Sequence, residues 1–528
     1  MSNRFQVLAA DGIANEGIEL LKKDFDVEVR DKISHEELLE AIPKFDALIV
    51  RSASKVTADV LERAANLKII GRAGVGVDNI DVQTATERGI IVINSPDGNT
   101  IAATEHTFAM MLAVSRNIPQ ANQTMHGGKW DRKKFVGVEL RNKTLAIIGL
   151  GKIGAGVAKR AQSFEMNVIA YDPFVSEERA KNLGVRMVEL DELFKTADFI
   201  TVHMPLTNKT KDMIALAQMK TMKPTVRLIN CARGGIINEK DLVTALTEKI
   251  IAGAAIDVFE NEPLAEDSPL RTLPNIILTP HLGASTVEAQ IGVSVDVAKG
   301  IIEALNNRPV ATAVNLPHIP SHVLEKLAPF LDLAERLGRT VTGMSKEPIS
   351  GVQVKINGKI ADMNSSLIST SVLKGMLSAA LDTNVNLVNA NLLAEERGIH
   401  LSEIKSNIAR DFANLVTVSA NGNIVTGTLF GNEGRIVSIN NFRVDVDPHA
   451  RILICPHINR PGVIGSVGSL LAKHKINISG MQVGKTEIEG RSLMVLTVDN
   501  PISQNVLNEM KNLEPIFDVT PVAYEDAI

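Results

Sequence analysis

Residues 144–172 read TLAIIGLGKIGAGVAKRAQSFEMNVIAYD. The stretch opens on an apolar strand pattern, TLAIIG, and turns through Gly149, Gly151 and Gly154 in G-x-G-x-x-G spacing. A helix pattern follows over 153–165, then a second apolar strand that ends in Asp172, 18 residues after Gly154. The three glycines alone would say little. In this context each has a distinct use. Gly149 permits the tight turn, Gly151 lets backbone approach a pyrophosphate, and Gly154 packs helix against strand. The helix N-terminus faces the phosphates. Asp172 is placed to accept from ribose hydroxyls and to repel a 2′-phosphate, which predicts NAD rather than NADP.

Outward from this unit the same rhythm repeats. FITVHMP (199–205), VRLINCA (226–232), IAGAAIDV (251–258) and NIILTPH (275–281) read as further strands, with helices between them. Before it, FQVLAAD, FDALIVRS and LKIIGRAG read as three strands, 13–24 and 57–66 as helices, and 100–118 as one long helix. Alternating strands and helices imply parallel sheets, here in two lobes. A composition shift near 312–320 ends this part. Residues 320–445 hold helical stretches at 321–338 and 389–398, strands near 350–356 and 424–440, and hairpin-like turns. From 448 a βαββαβ order gives a small ferredoxin-like unit: strand 451–457, helix 462–474, strands 476–484 and 491–498, helix 502–512, strand 516–523.

Bulk composition narrows the function classes. The chain has 528 residues, enough for several domains, and 45% hydrophobic residues with only 3% aromatics. A net charge of −5 lacks the basic footprint of a nucleic-acid binder. Two distant cysteines, Cys231 and Cys455, make neither a disulfide framework nor a zinc cluster, and suit a reducing cytoplasm. No apolar run reaches membrane length and no secretory leader is evident, so neither a membrane nor a metal is expected as a partner.

Three strand ends in the cofactor half carry the chemistry. NCARGG holds Arg233, DVFENEP holds Asp257 and Glu262, and TPHLGAST holds His281. Ligands of open α/β sheets bind outside the carboxyl ends of the strands, so these groups should share one cleft. Arginine grips a carboxylate bidentately. Histidine takes a hydroxyl proton, while glutamate fixes its tautomer and raises its pKa. That is a kit for oxidising a 2-hydroxy acid. The loop GRAGVGVD (71–78) lacks a third glycine at the right spacing, and reads either as a structural turn or as a loop that brings backbone amides to a ligand.

These strings resemble the D-isomer-specific 2-hydroxyacid dehydrogenases over essentially the whole chain. RSASKV (51–56), GRAGVGVDNID (71–81), GNTIAATEHTFAMML (98–112) and the long C-terminal extension are similar to the long-form branch that oxidises 3-phospho-D-glycerate. The resemblance implies Arg233, Glu262 and His281 as catalytic residues. It implies NAD contacts from Val75, Lys152, Ile153, Cys231 and Asp257 beside the glycines and Asp172, and substrate contacts from Arg51, Arg72 and Gly76. It also implies that Arg132, in WDRKKF, reaches a neighbouring subunit's cleft, although a solvated charged face accounts for that run equally well. Two positions depart from the family pattern: KPTVRL lacks a glycine after its proline, and Asn238 stands where aspartate is common.

The fold so implied is a Rossmann cofactor domain (99–285) inserted in a flavodoxin-like substrate domain (1–98 and 286–315). An α+β intervening domain (316–447) and an ACT domain (448–528) follow. In HINRPGVIG, His457 and Asn459, with Asn477 beyond, resemble the residues with which ACT domains bind an amino acid, here L-serine. The resemblance further implies a homotetramer, a place in L-serine synthesis, and reduction of 2-oxoglutarate to 2-hydroxyglutarate as a candidate side activity. Two other readings compete: a dehydrogenase for another D-2-hydroxy acid, and a non-catalytic NAD-sensing scaffold. The ACT tail argues against both.

Overall fold

The computed structural model describes residues 4–522, apart from 307, 309, 318, 364, 382–383, 410 and 486–489. Strands Gln6–Ala10 (β1), Asp26–Arg30 (β2), Ala47–Val50 (β3), Ile69–Arg72 (β4) and Ile91–Asn94 (β5) form a parallel sheet in the order β2-β1-β3-β4-β5. The sequence pattern shows three of the five. The strand β2 escapes it because DVEVR is a short, partly exposed edge strand whose apolar face is only Val27 and Val29. One face of the sheet is covered by local helices. Helix Val287–Leu305 covers the other, through Val293, Val297 and Ile301. It lies so close that a Cβ on Gly71 would meet Val297 Cγ1 at 2.2 Å.

The second sheet contains Thr144–Ile148 (β6), Asn167–Tyr171 (β7), Arg186–Met187 (β8), Phe199–Val202 (β9), Arg227–Asn230 (β10), Gly253–Ile256 (β11) and Ile276–Leu278 (β12). All pair in parallel, in the order β12-β11-β10-β9-β6-β7-β8. The order reverses between β6 and β9, and that switch point opens the crevice where such sheets bind ligands. Apolar residues fill both faces, as a doubly wound parallel sheet requires. The expected long helix ends at Arg116. Asn117, in the left-handed region, breaks it before a second helix at Ile118–His126.

The third sheet is built from Gly351–Gly358 (β13), His400–Ser406 (β14), Asn414–Ala420 (β15), Asn423–Phe430 (β16), Glu433–Ile439 (β17) and Phe442–Val446 (β18). Its order is β14-β13-β15-β16-β17-β18, with one parallel pair, β13–β14. Helices Ser321–Met344 and Ser366–Ser378 pack on it. The last sheet, from Ile452–Ile458 (β19), Ile478–Lys485 (β20), Arg491–Val498 (β21) and Thr520–Val522 (β22), has the ferredoxin-like order β20-β21-β19-β22. Along β19, Ile452 and Ile454 join the core of the third sheet, while Leu453 and Cys455 join the last unit's own core. The two-residue period of a strand thus shares one sheet between two cores. Among the described residues no helix is long and apolar enough to cross a membrane.

Candidate active site

The glycine loop joins β6 to helix Lys152–Ser163. Gly149 has φ +98°, and a Cβ there would meet His203 O at 2.5 Å. A Cβ on Gly154 would stand 2.1 Å from Gly149 O. Gly151 faces open space and caps the helix with no side chain, so the first-turn amides keep their donors. Asp172 closes the loop from β7: its Oδ2 accepts from Leu150 N at 2.8 Å and its Oδ1 from Phe174 N at 2.9 Å. Open space, free amides and an oriented carboxylate fit a dinucleotide. Lys152 pairs with Asp97 across the lobes, and Ile153 packs into the core. Burial lowers the His203 pKa to about 4, so that ring is neutral at pH 7.

The end of β10 is held by a residue that the sequence pattern does not single out. Asn230 is buried; it donates to Arg233 O at 2.9 Å and accepts from Ala232 N at 3.0 Å, which winds the chain into a tight loop. Gly234 then passes so close to the segment after β11 that a Cβ would stand 1.9 Å from Phe259 O. Arg233 is thereby sent across the cleft, where its Nε donates to Asp78 at 3.1 Å and its Nη1 to Ala232 O at 2.7 Å.

The loop carrying His281 is organised by Asp257. This fully buried carboxylate accepts from Thr279 Oγ1 (2.6 Å), Leu282 N (2.8 Å), Gly283 N (2.9 Å) and His106 Nε2 (3.1 Å). Burial alone would raise its pKa; the hydrogen bonds from His106, Thr279 and Leu282 outweigh that and hold it below the ordinary value. His281, at φ +56°, turns its Nδ1 to Glu262 Oε2 at 2.7 Å. Glu262 Oε1 accepts from Phe259 N at 3.0 Å. Burial raises the Glu262 pKa, but the His281 and Phe259 hydrogen bonds prevail and lower it overall. Cys231, Asp257 and His106 offer three ligand-type atoms within 4.8 Å of one another. The Asp257 oxygens there are already engaged, and burial pushes the Cys231 thiol up.

The opposite wall comes from the first lobe. Arg72, at the end of β4, is mostly buried, and its Nε has no hydrogen-bond partner among the described residues. Burial, together with the charges of Arg233 and Arg51, lowers its pKa to about 10. The glycines of this loop make room for arginines: a Cβ on Gly74 would stand 1.5 Å from Arg72 Nη1, and one on Gly76 1.9 Å from Arg233 Nη2. Asp11 accepts from Arg51 N (2.9 Å), Ser54 N (2.9 Å) and Ser54 Oγ (2.6 Å), so it shapes the Arg51 loop. Asn94 donates to Val75 O at 2.5 Å. Three guanidinium groups from two lobes therefore act on one another with Asp78 and Asp11 as neighbouring carboxylates. Arg132 lies apart, exposed on the short helix Arg132–Phe135 beside the exposed Trp130.

In the last unit His457 is buried in β19; its Nδ1 faces Ile458 O at 2.9 Å, and its Nε2 has no partner among the described residues. Asn459 is on the following loop, and Gly462, at φ +92°, opens the helix. Asn477 sits one residue before β20 and donates to Asp499 at 2.6 Å. Sequence reasoning misses Asn230, His106, Asp78 and Asp11. Only the strand-end positions of Asn230 and Asp11 offer a signal.

Comparison with known proteins places this geometry. A family model described as "D-isomer specific 2-hydroxyacid dehydrogenase, NAD binding domain" matches residues 108–283. One described as "D-3-phosphoglycerate dehydrogenase intervening domain" matches 326–440, and an "AHAS small subunit-like ACT domain" matches 453–518. The D-3-phosphoglycerate dehydrogenase of Synechocystis sp. is 46% identical over 98% of this chain and 94% of its own length. Those of Archaeoglobus fulgidus (46%) and Bacillus subtilis (43%) match over 98% of this chain and 99% of theirs. Among solved structures, the TT0316 protein from Thermus thermophilus superposes with a TM-score of 0.55 at 31% identity, over 59% of this chain and 100% of that one. The apo D-lactate dehydrogenase of Escherichia coli gives 0.53 at 26% identity, over 59% and 100%.

Proposed function

The chain belongs to the D-3-phosphoglycerate dehydrogenase family, and on that premise we propose how its residues divide the chemistry. It is an NAD-dependent oxidoreductase that converts 3-phospho-D-glycerate to 3-phosphohydroxypyruvate, the first step of L-serine synthesis. When bound, NAD takes the hydride that leaves C2. The amides after Gly149 and Gly151 hold its pyrophosphate, Asp172 its ribose, and Cys231, Asp257 and Val75 surround its reacting end. Arg233 grips the substrate carboxylate as a fork. His281 takes the C2 hydroxyl proton at Nε2, because Nδ1 is committed to Glu262. The negative charge of Glu262 stabilises the imidazolium that results.

The observation that carries this reading is Arg72. A mostly buried guanidinium whose Nε has no hydrogen-bond partner among the described residues, pressed by two further arginines, is a site short of negative charge. The substrate supplies it at both ends: the carboxylate to Arg233, and the phosphate to Arg51 and Arg72, with Gly76 keeping the floor low and Arg132 joining from a neighbouring subunit of a homotetramer. Residues 1–98 and 286–315 serve as the substrate domain, 99–285 as the NAD domain, 316–447 as the intervening domain and 448–528 as the ACT domain, in a cytoplasmic enzyme. L-Serine binds at His457, Asn459 and Asn477 and inhibits; 2-oxoglutarate is a slower substrate in the reducing direction.

The test follows NADH absorbance with purified protein, NAD and 3-phospho-D-glycerate at alkaline pH, with and without L-serine. A rise that L-serine suppresses supports both the cleft and the effector loop. A rise indifferent to L-serine removes the effector role. Absence of turnover in either direction overturns the assignment of the cleft.

A further inference from the structure

Helix Thr100–Arg116 meets three strand ends of the second sheet with three neighbouring side chains, each touching the first residue beyond its strand. Thr107 meets the Cys231 thiol after β10, and Met110 Sδ lies 3.7 Å from Thr279 Oγ1 after β12. His106 reaches Asp257 after β11. The buried face of this helix is otherwise built from alanine, threonine, serine and apolar side chains. An imidazole beside it, only 18% exposed, costs desolvation unless it is given a partner.

The surroundings fix which ring nitrogen of His106 carries a hydrogen. Nε2 stands 3.1 Å from Asp257 Oδ1 and 3.4 Å from Thr279 Oγ1. The Asp257 carboxylate only accepts. Thr279 spends its hydroxyl hydrogen on Asp257 at 2.6 Å, so it too turns a lone pair to the ring. Nε2 therefore donates. Of the four donors to Asp257, Thr279, Leu282 and Gly283 belong to the segment that carries His281, and His106 alone stands off it. Burial raises the pKa of Asp257, and the His106 hydrogen bond leads those that bring it down.

We propose that His106 is a positioning residue for hydride transfer: its Nε2–H fixes the Asp257 carboxylate from outside the loop, and with it both the surroundings of the nicotinamide and the place of His281. The backbone supplies the second link, since His281 N donates to Asp257 O at 2.8 Å. This rests on the dehydrogenase reading of the cleft, in which Asp257 borders the reacting end of NAD. A fixed anion there favours the cationic nicotinamide of NAD. Loss of the donor should therefore weaken NAD and spare a ligand that lacks that ring.

Two variants of the full chain test the proposal. His106→Leu keeps an apolar bulk and removes the donor, whereas His106→Gln returns an N–H to the position of Nε2. Both are compared with the parent by calorimetric titration with NAD and with ADP-ribose, which has no nicotinamide, and by oxidation of 3-phospho-D-glycerate at saturating NAD. His106→Leu should bind NAD about tenfold more weakly, the weight of one hydrogen bond to a charged group, and bind ADP-ribose as the parent does. Its kcat should fall about tenfold with KM for 3-phospho-D-glycerate unchanged. His106→Gln should recover to within about threefold of the parent in NAD affinity and kcat. Parental NAD affinity and kcat in His106→Leu overturn the proposal. So does an ADP-ribose affinity that falls with that for NAD, or a His106→Gln no better than His106→Leu, because the ring then serves only packing. A parent chain that turns over in neither direction overturns the dehydrogenase reading first, and this proposal with it.

Discussion

The stretches Gly149–Gly154 and Gly71–Gly76 each lie at the end of a parallel strand, β6 and β4, and each is dense in glycine. What the missing side chains make room for is different. In the first, Gly149 and Gly154 clear space for the protein's own backbone, and Gly151 opens on empty space. In the second, Gly74 and Gly76 clear space for two guanidinium groups, one from each lobe. The first loop presents bare amides to an anion; the second holds cations in place for one. A glycine-rich string therefore does not say which of these it is until the neighbouring side chains are known.

Substitutions at single glycines should separate the two loops. Gly154→Ala drives a Cβ into Gly149 O, which cannot move without the strand, so stability should fall by about 3 kcal/mol, read from the midpoint of chemical unfolding. Gly76→Ala should leave that midpoint nearly unchanged but displace Arg233. A loss of about 10²-fold in kcat/KM for 3-phospho-D-glycerate is expected, and an unaffected kcat/KM would mean the arginine does not depend on that floor. Gly151→Ala meets nothing in the protein. It should raise KM for NAD about tenfold, the weight of one hydrogen bond to a charged group, with kcat and folding retained. The smallest effect concerns Glu262, the partner of His281. The native pKa of Glu262 is lowered from 4.5, so its contribution to stability is present above that pH and lost as the pH falls through the lowered value. The stability gap between parent and Glu262→Gln should shrink as the pH falls below about 5, measured by denaturant unfolding across pH 3–5.

The first loop is legible in the sequence because its partners are local: strand, glycines, helix and Asp172 lie within 29 residues and follow one another. His281, Glu262 and Arg233 are legible because they end consecutive strands. The second loop stays open between a turn and a ligand loop because its meaning lies in Arg233, 155 residues from Asp78. His106 is unreadable for the same reason: its partner, Asp257, comes from another element. In the middle of the chain the pattern fails differently. Helix Ser366–Ser378 is buried on nearly every side, so it shows no amphipathic stripe. Strand β14 is exposed on both faces, so it shows no alternation.

The outer edge of β5 has a consequence for where this chain can be cut. Asn315 accepts from Val92 N at 2.9 Å and donates to Ile90 O at 2.9 Å, while Val314 N donates to Val92 O at 2.7 Å. Residues past helix Val287–Leu305 thus act as a selvedge on the first sheet. A fragment stopped at 305 would keep every catalytic side chain and still bare a row of strand amides and carbonyls, the template along which sheets from separate molecules stitch together. For anyone dividing this enzyme into modules, the safe seam lies beyond Asn315, and a shorter catalytic fragment is one that should be recovered as aggregate.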